Sequence, residues 1–136
     1  MGLAEKRISA AYQKDQFPTW KQRLDAIAGY QLTYEVAWDE LVKEGWAESY
    51  PVVLDYNFFR PLERTLQSIC ADQLGKDALK GRIKRVKINS QRSWSSLEVK
   101  VEGDTLLLDA DPTYNRDESC VDDYAQRITS ELEKNL

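Results

Sequence analysis

Arg82–Pro112 reads RIKRVKINSQRSWSSLEVKVEGDTLLLDADP, and this stretch decides the fold class. Val86 and Ile88 alternate with Arg85, Lys87 and Asn89. Leu97, Val99 and Val101 alternate with Glu98, Lys100 and Glu102. A period of two is the signature of strands with one buried and one wet face. Gly103-Asp104 supplies a two-residue hairpin turn of type II′, with glycine at the positive φ. That turn pairs Val101 with Leu106, Val99 with Leu108 and Leu97 with Ala110, keeping one face apolar. A one-residue slip would bury Glu98 and Lys100 instead. The expectation is a three-stranded antiparallel meander closed by Asp111-Pro112.

Outward from the meander, helical spacing dominates. Ala4, Ile8, Ala11 and Tyr12 form a stripe over residues 3–14. Gln16-Phe17-Pro18 interrupts it, and Pro18 then opens a second helix carrying Trp20, Leu24, Ile27 and Ala28 up to a stop at Gly29. Residues 31–38, QLTYEVAW, alternate and read as a strand. Tyr34, Trp38, Leu41 and Val42 also fit a helical stripe, so a helix through Lys43 competes. A short turn of helix over 40–44, capped by Asp39, follows the strand reading. Residues 44–56 read as a connection marked by Gly45 and Pro51. Phe59, Leu62, Leu66, Ile69 and Cys70 line a helix over about 58–73, ended by Gly75, with a short helix over 76–82 behind it. Val121, Tyr124, Ala125, Ile128 and Leu132 stripe a last helix over 120–134. Ser119 and Asp122 form a capping-box-like start. The pattern predicts one α+β domain over 1–136: a four-stranded antiparallel or mixed sheet, a short strand plus the meander, with helices on one face.

Composition narrows the function. The chain has 136 residues, a net charge of −4 and a pI near 5.0. That balance disfavours non-specific binding to nucleic acid or anionic membrane. No apolar run approaches the roughly 20 residues of a membrane span, and MGLAEKRISAAYQKD has no signal-peptide core. Lys6 stands where a myristoylation signal needs Ser or Thr. The expected location is the cytoplasm. Histidine is absent. Its absence removes Ser-His and Cys-His nucleophile pairs and the usual neutral-pH base. Cys70 and Cys120 lie 50 residues apart without a CxxC, and read as two thiols rather than a metal site. No metal or cofactor is expected. Asp109-x-Asp111 opens like a calcium loop, but Thr113 and Tyr114 stand where a ligand and a glycine belong.

The candidate contact residues are Arg85, Lys87, Arg92, Trp94 and Trp46. Lys80, Arg82, Lys84, Arg85, Lys87 and Arg92 place six cations in thirteen residues. The bland reading is a solvated sheet edge whose charges deter edge pairing. Trp46 and Trp94 lie in polar loops, where an indole serves either an interface or the end of a sheet, while Trp20 and Trp38 read as core. Acids gather in 35–55 and 109–123, six against one base in each. The leading expectation is a non-enzymatic protein-binding module of a bacterial-type cytoplasmic protein, immunity- or chaperone-like by analogy. Two alternatives stand beside it. One is a ligand-binding domain or carboxylate-based enzyme with a pocket between sheet and helices. The other is weak RNA or phosphate binding through residues 80–94.

Overall fold

A computed structural model describes residues 2–136. It is an α+β domain with a mixed four-stranded sheet covered on one face by helices. The strands are β1 (Thr33–Val36), β2 (Arg85–Asn89), β3 (Glu98–Glu102) and β4 (Thr105–Asp109), in spatial order β1-β2-β4-β3. The β3–β4 hairpin has the register that the alternation demands. Val101 faces Leu106 and Val99 faces Leu108, and Gly103 turns the chain at φ 60°.

The expected meander is corrected at β2. This strand pairs with β4, not β3, and runs parallel to it, with Val86 opposite Leu106 and Ile88 opposite Leu108; β1 runs parallel to β2 on the other side. The loop after β2 therefore crosses to the far edge before the hairpin returns β4 to the middle. β2 and β4 are thus the two central strands, and the outward Leu107 of β4 lies beside Lys87 of β2. Facing pairs share a side, so Tyr34, Val36, Val86, Ile88, Leu106, Leu108, Val99 and Val101 point into the core. Glu35, Arg85, Lys87, Leu107, Glu98 and Lys100 point outward.

The N-terminal interruption takes an unexpected form. Helices α1 (Leu3–Ala11) and α2 (Phe17–Ala28) are joined by a π-helical turn, Tyr12–Gln16, so the backbone never leaves the helix. The same device recurs in the centre. α4 (Tyr50–Leu54), a π turn at Asp55–Phe59 and α5 (Arg60–Ile69) form one continuous rod. This overturns the reading of 44–56 as connection throughout, because Pro51 sits in a helix's first turn, where its missing N–H does no harm. In both rods a proline follows the π turn closely: Pro18 and Pro61. A proline removes the bond to the carbonyl four residues back and crowds it, and a wider turn makes room.

Gly75 is also corrected. It lies inside α6 (Gln73–Arg82), which Asp72 caps through Gly75 N–H at 2.8 Å. A Cβ at Gly75 would stand 1.7 Å from the Ile69 carbonyl, so the glycine permits a close approach rather than ending a helix. After β1 the one-turn helix α3 is Trp38–Leu41, two residues earlier than Asp39 capping implied. The last helix, α7 (Cys120–Asn135), buries the predicted stripe. Ser119 does not cap it by a side-chain bond; its backbone N–H instead donates to Asp117 at 2.9 Å.

One core fills the space between sheet and helices. Leu24, Phe58, Phe59, Leu62, Leu66, Ile128 and Leu132 meet the inward strand residues. α5 packs along α7, where Thr65 Oγ1 donates to the Ala125 carbonyl at 3.0 Å. An aromatic cluster closes the N-terminal end, with Tyr12, Phe17, Trp38 and Phe59 at ring separations of 5.1 to 6.1 Å. Trp20 and Trp38 belong to it, as core. Both cysteines are free and buried. Among the described residues no helix is long and apolar enough to cross a membrane.

Candidate functional site

β1, β2 and β4 run parallel, so the loops that follow them leave the sheet at one end. In open sheets with parallel strands this end is where ligands and partners are usually met. The three loops are tied together by acids. Glu40, in α3, accepts from Ser90 N–H at 3.1 Å. Asp109, at the end of β4, accepts from Gln91 N–H at 3.2 Å. Asp111 is the centre. Its Oδ1 accepts from Thr113 N–H at 2.9 Å and Thr113 Oγ1–H at 2.7 Å, and its Oδ2 accepts from Trp94 N–H at 2.7 Å. Burial alone would raise its pKa. The bonds from Thr113 and Trp94, with Lys43 nearby, outweigh burial and hold it below the ordinary carboxylate value. The acids that resemble the opening of a calcium loop are thus spent on backbone N–H groups. Among the described residues no three metal-ligating side chains converge.

Trp94 is the product of this arrangement. It is the one non-glycine residue described with positive φ, at 51°, and the residue is 64% exposed. A left-handed tryptophan is strained, and such strain persists only where surrounding bonds determine it. Tyr114, from the loop after β4, meets the indole edge-on at 5.5 Å. Two residues on, Arg116 lies over Trp46 at 4.8 Å. One loop therefore supports both loop tryptophans. Asn57, from the second π turn, secures that loop: its fully buried amide donates to the carbonyls of Pro112 at 3.2 Å and Asn115 at 2.7 Å.

The remaining predicted contact residues divide. Arg92 belongs to the Trp94 loop, donating to the Ser96 carbonyl at 3.1 Å and pairing with Glu98 at 3.5 Å. Arg85 and Lys87 stand on the outward sheet face, with Arg85 paired to Glu35 at 2.6 Å. Two of the cations in the basic run are therefore matched by carboxylates.

A second polar feature lies among the helices. Tyr12 O–H, from one π turn, donates to Asp55 Oδ1, in the other, at 2.7 Å, and Trp20 Nε1–H donates to the same oxygen at 3.0 Å. Burial raises the Asp55 pKa despite these bonds and despite Arg60 and Arg23 nearby. It pushes the Tyr12 hydroxyl up as well, further raised by the Asp55 charge. Two adjoining clefts of about 420 Å³ each share Trp20, Arg23, Val52 and Asp55. Residue patterning missed this feature, as it missed Tyr114 and the positioning roles of Asp111 and Asn57. Both thiols are buried, and burial raises the Cys70 pKa and pushes Cys120 up to about 11, which disfavours the thiolate form.

No protein-family model, curated protein or solved structure matches this chain.

Proposed function

We propose that the chain is a small protein-binding module without catalytic activity, an adaptor of the immunity- or chaperone-like kind working in the cytoplasm. Its contact surface is the loop platform around Trp94. The observation that carries this reading is Trp94 itself, a residue 64% exposed whose left-handed backbone is fixed by the 2.7 Å bond from its N–H to Asp111 and whose ring meets Tyr114 at 5.5 Å. A side chain that is already ordered loses little entropy on docking, and an indole offers about 150–250 Å² of area to bury. Tyr114, itself 41% exposed, enlarges the anchor. Tryptophan, tyrosine and arginine are the residues on which interface energy concentrates.

Arg92 and Trp46 flank the anchor. Arg85 and Lys87 form a charged rim on the outward sheet face, a position from which charge steers encounter more than it holds the complex. The partner is then a folded protein with an apolar pocket for the indole. Buried thiols with raised pKa values, together with a chain free of histidine, favour binding over nucleophilic chemistry.

The test is a photo-cross-linking residue at position 114 in the native host, followed by affinity measurement on the purified pair. Trp94→Ala is expected to weaken the complex about thirtyfold or more, the effect of losing an interface hot spot. Lys87→Ala is expected to alter mainly the salt dependence of association. Absence of a saturable partner, or equal affinity for Trp94→Ala, refutes the reading.

A further inference from the structure

Asp55 is a carboxylate without a direct ion pair, though Arg60 and Arg23 lie near enough to act on its charge. Its Oδ1 is fully engaged by Tyr12 and Trp20, and among the described residues nothing donates to Oδ2 and no lysine or arginine pairs with the group. The two guanidinium groups nearby are committed elsewhere. Arg23 pairs with Glu63 at 2.5 Å and lies over the Trp20 ring at 4.5 Å. Arg60 pairs with Glu118 at 3.6 Å and lies over the Tyr56 ring at 5.4 Å. A half-buried carboxylate in this state has lost part of its hydration and receives only the more distant field of Arg60 and Arg23, which does not offset its burial, so a directly bonded cation would stabilise it.

The surroundings leave room for one. A cleft of about 420 Å³ is lined by Asp55, Asp15, Thr19, Pro51, Val52 and the edge of Trp20, a volume suited to a small molecule. Arg23 also lines it, but Glu63 neutralises that charge from the adjoining cleft, so Asp15 and Asp55 set the sign. Val52, 46% exposed, and Pro51 supply an apolar wall beside the acids.

The local backbone is an independent sign. The Tyr12–Gln16 and Asp55–Phe59 π turns meet here, and the Tyr12–Asp55 bond joins them. π turns are rare and poorly bonded, and they concentrate at functional sites because the extra residue re-aims the side chains that follow. Here one turn aims the hydroxyl and the other the carboxylate that receives it.

We propose that this cleft binds a small organic cation, a primary ammonium or guanidinium group on a short apolar stem. The charged head donates to Asp55 Oδ2 and the stem lies along Val52 and Pro51. An anion would face two carboxylates. A neutral donor could reach Oδ2 but would leave the charge uncompensated. The site is separate from the Trp94 platform and does not depend on the role proposed for it.

The probes are n-butylammonium and agmatine, with butyrate and n-butanol as controls. The readout is the indole N–H resonance of Trp20, which is bonded directly to Asp55. Both cations are expected to shift it saturably, half-saturating near or below about 1 mM, an affinity typical of a fragment-sized ligand. Asp55→Asn retains an acceptor for Tyr12 and Trp20 but removes the charge, and is expected to weaken binding at least about tenfold. Val52→Lys changes a surface residue and supplies an internal ammonium, so it is expected to abolish the saturable shift. The proposal is overturned if neither cation saturates at about twentyfold higher concentration. An equal response to butyrate or n-butanol, or unchanged affinity in Val52→Lys, also overturns it.

Discussion

Asp111→Asn tests whether a buried acid holds the exposed indole in place. The substitution preserves shape. The one oxygen it leaves can still accept both bonds from Thr113, but the new amide group then points two donors at Trp94 N–H, which donates to Asp111 Oδ2 at 2.7 Å in the native chain. A bond to a charged acceptor contributes about 1.5–3 kcal/mol, so its loss is expensive. Part of that cost is returned. Trp94 sits at φ 51°, and leaving the left-handed region relieves about 1 kcal/mol of strain. The net loss is then about 1 kcal/mol, which for a domain of this size lowers Tm by roughly 4 °C.

The decisive assay pairs thermal unfolding with relaxation of the Trp94 indole, which should change from ordered to mobile while the other three indoles stay ordered. The pH dependence has a definite sign. Asp111 is held below the ordinary carboxylate value, so its stabilisation is fully present above about pH 4 and is lost as pH falls through the lower folded pKa. The gap between wild type and Asp111→Asn should be flat from neutral pH to about 4 and close below it. An unchanged Tm with an equally ordered indole would mean that Asp111 does not hold the platform.

Asp55→Asn should do the reverse: the native group's pKa is raised, so its charge costs stability once the pH passes the folded value. Melts should show a higher Tm for the variant at about pH 7 and none of that advantage at about pH 3. Gly75→Ala should destabilise by about 2 kcal/mol or more, against the gain of about 1 kcal/mol that helix propensity promises, because the new methyl meets the Ile69 carbonyl at 1.7 Å; urea unfolding gives the sign. Asn57→Ala should cost about 2–4 kcal/mol by stranding the carbonyls of Val53, Pro112 and Asn115, and hydrogen exchange should rise in residues 110–119 first.

Strand faces were legible in the sequence and strand neighbours were not. Alternation states which side of a strand is buried, and for the hairpin the tight turn adds the register, which is why Val99–Leu108 and Val101–Leu106 pair as expected. Nothing in the alternation of Val86 and Ile88 says which strand lies beside them. Leu107, apolar on the outward side of β4, gives no guidance either, because the equally central β2 carries Arg85 and Lys87 on that side. The prolines misled in a similar way. Pro18 and Pro61 both suit a helix's first turn, and the sequence carries no mark that distinguishes a new start from a π turn in a continuing rod.

The candidate sites divide along the same line. Trp94 could be found because an indole among serines and arginines has no local reason to be buried. What makes it useful could not, since Asp111 lies 17 residues away and was visible only as one of six acids in its cluster. Asp55 was more deeply hidden. Its donors, Trp20 and Tyr12, come from 35 and 43 residues earlier, and in the linear count it was one more acid of the 35–55 group. Clustering in sequence therefore says little about what a carboxylate does. Glu40, Asp109 and Asp111 are spent on backbone N–H groups and hold loops together. Asp55 receives two side-chain donors on one oxygen and keeps the other free at a cleft. The difference lies in which groups donate to each acid, and those donors are set by how the helices and strands pack.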